Sequence, residues 1–376
     1  MHLVGTADLP LHSGPVPPWL MSRMRHLARH IMAILVDEYG ASEVIKRMSD
    51  PFWFQALGCV LGFDWHSSGL TTVVAGAIRD SVSLAEHGVA VVGGKGKAAT
   101  EVPERITALP LDDKIKQYLV RASRLSAKVD NAVVQDGYTL YHHAIIFNER
   151  GEWSIVQQGM NTGAHYARRY HWLGERVRSF VEEPHSAVVG DRLERYVLDL
   201  TSRKNEEIRK SSVDLVRESP TKLVRMFNLV VRGQATLDSY SLDILESLPK
   251  HLSMPRRIDW EAVKRAYDIQ PRDYEELVEV RGMGPGTVRA LALVSTLIHG
   301  HEIDWKDPVK YSFAHGGKDG VPYPVERRRM DKVIGFLRDV VESSQLEREE
   351  KKQALRRLYL LERRMYSDEQ KEKKIT

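Results

Sequence analysis

The chemistry-bearing residues of this chain gather in its first half. Eleven of the fifteen histidines precede residue 186, and they sit beside carboxylates in short segments of unusual composition. Asp8 and His12 fall in GTADLPLH, Asp64 and His66 in FDWHSS, and Asp136 in QDG. His142-His143 follow on the next stretch, with Gln157-Gln158-Gly159-Met160-Asn161 beyond them. Polar groups wrapped in apolar sequence are costly to bury and need partners. Carboxylates and imidazoles that converge on one cleft hold a divalent ion, which activates water against a phosphodiester. The expected centre takes Asp8, His12, Asp64 and Asp136 as ligands to Mg²⁺ or Mn²⁺, with Asp64, His66, Asp136 and His143 as catalytic groups. The single cysteine, Cys59, excludes a disulfide framework and any zinc site built from several thiolates.

The same region sets out strands to carry these groups. Tyr138–Phe147 and Glu152–Gln158 read as a strand pair closed by the turn Asn148-Glu149-Arg150-Gly151. Asp136 just before the pair, with Gln158 on its second strand, resembles nuclease folds that hang metal ligands on a central sheet. The lysine of an Asp…Glu-x-Lys pattern is missing, since Val156-Gln157-Gln158 supplies none. Val89–Val92 reads as a short buried strand feeding Gly93-Gly94-Lys95-Gly96-Lys97, where Lys95, Lys97 and the turn amides are placed to contact a DNA phosphate. A plain flexible turn is the alternative. The turn is not a Walker A loop, because Gly-x4-Gly-Lys-Ser/Thr is absent. His26 and His30, one helical turn apart, read as a packed or surface pair with no third ligand adjacent.

The most specific motif lies later, in EELVEVRGMGPGTVRALALVSTLI at 275–298. A first helix ends near Val280, Gly282-Met283-Gly284-Pro285-Gly286 turns the chain, and Thr287 opens a second helix. The glycines permit positive φ and close backbone approach to another molecule. Amides at the start of the second helix favour a phosphate, a contact that grips backbone without reading sequence. Gly282, Gly284, Gly286 and Thr287 are therefore the expected DNA-binding residues. Over these 24 or so residues the chain resembles the helix-hairpin-helix DNA-binding family. In base-excision glycosylases of that superfamily a catalytic Asp follows the hairpin, and Asp304 stands 18 residues after Gly286. The resemblance thus implies a second reading, a monofunctional glycosylase using Asp304. A non-catalytic DNA-binding or scaffold protein is the third.

The elements that must position these residues divide near residue 190. Pro18 suits the first turn of a helix reaching about Val36. Residues 51–63 are almost wholly apolar and belong in a core, and further helices are expected from Ser67 or Ser68 to about 85 and from about 112 to 129. Arg168, Arg169, Arg176 and Arg178, interleaved with Tyr166, Tyr170, His171 and Trp172, read as a stacking stripe for single strands or as a helix with snorkelling arginines. Beyond 190 the pattern is helical, broken near Pro220, Gly233, Pro249–Pro255 and Pro271, with His315–Pro324 a loop rich in glycine and proline. The fold class is α+β. Residues 1–190 form an α+β catalytic domain with a small antiparallel sheet, 191–325 an all-α domain with the hairpin at 275–298, and 326–376 a long charged helix.

A chain of 376 residues exceeds what one core usually serves. Nothing in it is apolar for long enough to span a membrane, and Asp8, Pro10 and Pro15/Pro17/Pro18 interrupt any signal-peptide core. A soluble cytoplasmic protein is expected. Residues 326–376 hold 15 Lys+Arg and 11 Asp+Glu, so they account for the whole +4 net charge. A modest positive balance permits nucleic-acid binding, and the C-terminal helix is a place for a second copy or a repair-protein partner.

Six segments span nearly the whole chain: GTADLPLHSG, GFDWHSSGLTT, GGKGK, VQDGYTLYHHAIIF, WSIVQQGMN and HGGKDGVPYP. Together they resemble a family of thermophile and archaeal proteins known mainly as a domain of unknown function. The resemblance implies a shared site and, through the hairpin, a place in DNA metabolism, without assigning roles. A metal-dependent DNA nuclease used in repair is the leading expectation.

Overall fold

The computed structural model describes residues 16–63, 69–190, 192–231, 248–309, 327–343 and 347–359. In chain order the first elements are α1 (Pro18–Tyr39), α2 (Ala41–Met48), α3 (Pro51–Leu61), α4 (Gly69–Arg79) and α5 (Leu84–His87). Then come β1 (Val89–Lys95), α6 (Lys97–Thr100), α7 (Val102–Thr107), α8 (Asp113–Lys128) and β2 (Val134–Gln135). β3 (Thr139–Asn148), β4 (Trp153–Asn161), β5 (Tyr166–Leu173), β6 (His185–Val189) and β7 (Leu198–Asp199) follow. The later helices are α9 (Glu206–Arg217), α10 (Pro220–Val231), α11 (Trp260–Ile269), α12 (Tyr274–Glu279), α13 (Pro285–His299), α14 (Arg327–Ser343) and α15 (348–359). The architecture is mixed α+β, as the sequence indicates.

A five-stranded antiparallel sheet in the order β1-β3-β4-β5-β6 organises the molecule. The β3–β4 turn closes as expected: Asn148 Oδ1 accepts from the amides of Arg150 (3.0 Å) and Glu152 (3.1 Å), and Gly151 takes φ +78°. Both faces of the sheet are covered. On the front face Val91, Ala144, Ile146, Val156 and Leu173 share a core with α1 to α4. On the back face Val92, Ile145, Phe147, Trp153, Ile155 and Trp172 share one with α8 and the later helices. Alternate residues of a strand point to opposite faces, so strands buried on both sides read as nearly continuous apolar runs.

Two findings depart from the sequence expectation. Tyr166–Leu173 is a strand, not a helix or an exposed stripe, and Arg168 and Arg169 are fully buried on opposite faces of the sheet. The C-terminal segment is no single long helix over its described part. One helix ends at Ser343 and another begins at 348, with Glu347 in neither, and Leu337, Val340, Val341, Ala354 and Leu358 bury themselves in the front core beside α1 and α3. Leu337, Val340 and Val341 make an apolar stripe on α14, and Ala354 and Leu358 one on α15, and burial of the stripes leaves the charged faces to solvent.

Candidate functional site at the polar end of the sheet

The strand sequences are polar at one end and apolar at the other. β3 runs from TLYHH into AIIF, β4 from WSIV into QQGMN, and β5 from YARRYH into WL. Because neighbours are antiparallel, the polar halves coincide. On the front face the register aligns Lys95, His142, Gln158 and Arg169 in one transverse row. On the back face Gly94, His143, Gln157 and Tyr170 align, with Arg168 one row further along the sheet.

The back row anchors a buried hydrogen-bond chain. α8 ends in a π-helical turn, Val129–Val133, which delivers Asp130 into the core with no exposure. Such turns recur where a helix must aim a polar group. Asp130 Oδ2 accepts from Gln157 Nε2 (2.5 Å) and Trp172 Nε1 (2.9 Å), and Oδ1 meets His185 Nε2 at 2.5 Å. Burial pushes the Asp130 carboxyl up, and His185 pulls it back. Since Gln157 donates through nitrogen, its oxygen accepts from His143 Nδ1 (2.9 Å), which leaves His143 Nε2 to accept from the Ser123 hydroxyl (2.8 Å). Ser123, His143 and Gln157 thus share the hydrogen-bond order of a nucleophile, a base and an orienting group. Burial holds His143 down at about 4, so the imidazolium that general-base catalysis requires is strongly disfavoured.

Asp136 sits in a second network. Its Oδ1 accepts from the Tyr138 amide (3.0 Å), and its Oδ2 from Arg168 Nη1 (2.9 Å) and Tyr170 Oη (2.6 Å). Arg168 Nη2 donates to Asp307 Oδ2 (2.7 Å), whose same oxygen accepts the Glu194 amide (2.7 Å). Burial opposes the Arg168 charge, but Asp136 and Asp307 outweigh it and hold the guanidinium above its ordinary value. The next residue, Gly137, turns at φ +87°, and a Cβ there would lie 3.3 Å from His251 Nε2. On the other side Gln135 lies on β2, which pairs with β7 in a separate two-stranded sheet. Its Oε1 accepts from Arg289 Nη1 (2.5 Å), and its Nε2 donates to the Pro285 carbonyl (2.9 Å), tying this stretch of chain to α13.

For the expected metal centre, both Asp136 oxygens are committed to donors, and among the described residues no three His, Cys, Asp or Glu side chains stand where they would hold a metal ion. Asp8, His12, Asp64 and His66 lie outside the described residues, as does the loop His315–Pro324. The described residues therefore do not fit a Mg²⁺ or Mn²⁺ centre by themselves. Lys95 is exposed at the front row's end, its Nζ 5.8 Å from the Tyr141 ring centre, while Lys97 pairs with Glu101 (3.3 Å).

The hairpin lies between α12 and α13. Val280 closes α12, Gly282 turns at φ +87°, and Gly284 caps α13, which begins at Pro285 rather than Thr287. A Cβ on Gly282 would meet Arg265 Nη2 at 2.6 Å and Asp259 Oδ2 at 2.7 Å. Gly286 packs against the Arg257 carbonyl, and Arg265 Nε donates to the Arg281 carbonyl (3.0 Å). Thr287 is 3% exposed, its hydroxyl accepting the Asp259 amide (3.2 Å), so it holds the hairpin's base rather than facing solvent. Arg256, Arg257 and Arg281 are exposed around the turn. Asp304 is engaged by the Ser202 hydroxyl (3.3 Å) and stands 3.9 Å from Lys204.

Asp130 and Ser123 were not singled out by the sequence, and Arg168 was read as part of a stacking or helical stripe rather than as the buried partner of Asp136 and Asp307. The adjacent pair Arg168-Arg169 on an apolar stretch was the available signal, since neighbouring strand residues face opposite ways. Residues 5–325 match the family model described as "Protein of unknown function (DUF763)". No curated protein and no solved structure matches the chain.

Proposed function

For a chain that belongs to the DUF763 family, we propose DNA as the ligand, gripped at the phosphate backbone by residues 281–287 in a sequence-nonspecific manner. The hairpin geometry carries this reading. Gly282 at φ +87° and Gly284 bring the start of a 15-residue helix to the surface, with the exposed arginines Arg256, Arg257 and Arg281 around it. Backbone amides at a helix N-terminus and neighbouring guanidinium groups both suit a phosphodiester. DNA processing is the activity that the polar end of the sheet would serve, joined to the hairpin through Gln135. A metal-dependent nuclease on this plan needs ligands beyond the described residues, because Asp136 belongs to the Arg168 network.

Fluorescence anisotropy of labelled duplex across a salt series tests the grip. Log K should fall linearly with log salt, and Arg257→Ala with Arg281→Ala should flatten the slope by about 2, roughly one phosphate contact each. Absence of binding at low salt, or an unchanged slope in the double variant, refutes the reading. Incubation of the same DNA with and without EDTA separates the chemistries. Metal-dependent cutting supports the nuclease, metal-free abasic product stopped by Asp304→Asn the glycosylase, and binding with neither product a scaffold.

A further inference from the structure

The front polar row contains a group that its surroundings leave unsatisfied. His142 is 1% exposed, yet neither ring nitrogen has a hydrogen-bond partner among the described residues. Buried polar atoms almost always find partners, so a site of this kind calls for something bound. Its neighbours are cationic. Arg79 and Arg169 both act on it electrostatically, and Lys95 lies directly across the β1–β3 ladder on the same face. The glycine run makes this gathering possible. Gly93 (φ +120°) and Gly94 (φ +142°) carry no side chain, and a Cβ on Gly94 would come 3.2 Å from Arg79 Nη1, which donates to the Gly93 carbonyl at 3.1 Å. Asp80 shares Arg79 and Glu101 occupies Lys97, whereas Lys95 pairs with no carboxylate among the described residues.

We propose that Lys95, His142, Arg79 and Arg169 form a binding site for a phosphate monoester at the front end of the sheet. Lys95 brings a positive charge for the monoanion, and the guanidinium groups of Arg79 and Arg169, which also bond Asp80 and Gln55, suit its oxygens. A monoester is favoured over an internal phosphodiester because His142, Gln158 and Arg169 are buried and Lys95 alone in the row is exposed. A terminal phosphate on a single tether can reach in, while a continuous strand would need a way in and a way out. Burial, His143 and the two arginines hold His142 at about 3, so it stays neutral and offers one N–H donor and one acceptor. The donor serves a phosphate oxygen and the acceptor a protonated one. The site is independent of the hairpin grip.

Long-range ¹H–¹⁵N spectra of the full chain, labelled at histidine and titrated with inorganic phosphate, read the site directly. One imidazole should shift, its assignment fixed by its loss in His142→Leu, and Lys95→Ala at the exposed rim should weaken the response about tenfold. Arg257→Ala with Arg281→Ala should leave it unchanged, which separates this site from the hairpin. An unmoved His142 resonance at saturating phosphate, the result if an ordered water alone occupies the row, overturns the proposal. Oligonucleotides with 5′-phosphate and 5′-hydroxyl ends then identify the source. Tighter binding of the phosphorylated end that disappears in Lys95→Ala assigns the site to a DNA terminus, and a phosphate response without that preference assigns it to a free phosphate compound.

Discussion

Replacing His142 by leucine should change the pH dependence of stability by an amount that the structure fixes. An unfolded histidine titrates near 6.5, whereas His142 in the fold is held at about 3 by burial, by His143 and by the two arginines. Below 6.5 the unfolded chain binds a proton that the folded chain refuses, so acid favours unfolding. The stability is complete above 6.5 and is lost as pH falls toward 3. Between pH 7 and pH 5 the loss is set by the unfolded value alone, because the folded group is neutral throughout, and it comes to about 2 kcal/mol for one histidine. His143, held at about 4, and His171, held well below its ordinary value by burial and Arg169, add losses of the same sign. Asp130 and Asp199, pushed up by burial, act in the opposite sense. The comparison of parent and His142→Leu cancels all of these. Guanidinium unfolding of both at pH 7 and pH 5 should show the variant gaining about 2 kcal/mol on the parent as the pH falls. A difference that does not change with pH would mean that His142 titrates in the fold as it does in water, and the reasoning would fail.

Asp136→Asn should cost about 3–5 kcal/mol in chemical unfolding, because Arg168 would keep its charge in a buried site with one counter-ion removed. Gly282→Ala should lose about 1–2 kcal/mol through positive φ and the crowding of Arg265 and Asp259, and should weaken duplex binding in the same anisotropy assay. Gln135→Ala removes two bonds to α13, so amides at the start of that helix should exchange faster with solvent while the sheet core stays protected.

The parts of this fold written in local sequence could be read from it. The β3–β4 hairpin announces itself through Asn148 and Gly151, and the hairpin at 281–287 through its glycines. β5 was obscured because arginine in a strand normally signals solvent. Arg168 is buried only because Asp136 and Asp307 neutralise it from 32 and 139 residues away, a pairing that no window of sequence contains. The same distance hides the site. Asp136 stands out as a carboxylate in an unusual segment, but whether it binds a metal or a guanidinium depends on what the sheet places beside it. The charged look of the C-terminal segment masked an apolar stripe that was present in the sequence, Leu337, Val340 and Val341.

His142 and His143 show how one strand serves two environments. They are consecutive, so they face opposite sides of β3, and each lies in a row of polar residues contributed by neighbouring strands. On the back, donors and acceptors are matched from Ser123 through His143 and Gln157 to Asp130, and a fully satisfied buried network rigidifies its surroundings. On the front, His142 is unsatisfied amid cations. A ligand that fits the front therefore meets a strand whose other side is already fixed, which lowers the ordering cost of binding. Gln135, one residue from the Asp136–Arg168 pair, carries that fixed frame to the start of α13. DNA held at 281–287 would thus be held in a defined position relative to the polar end of the sheet, the requirement for any chemistry performed there.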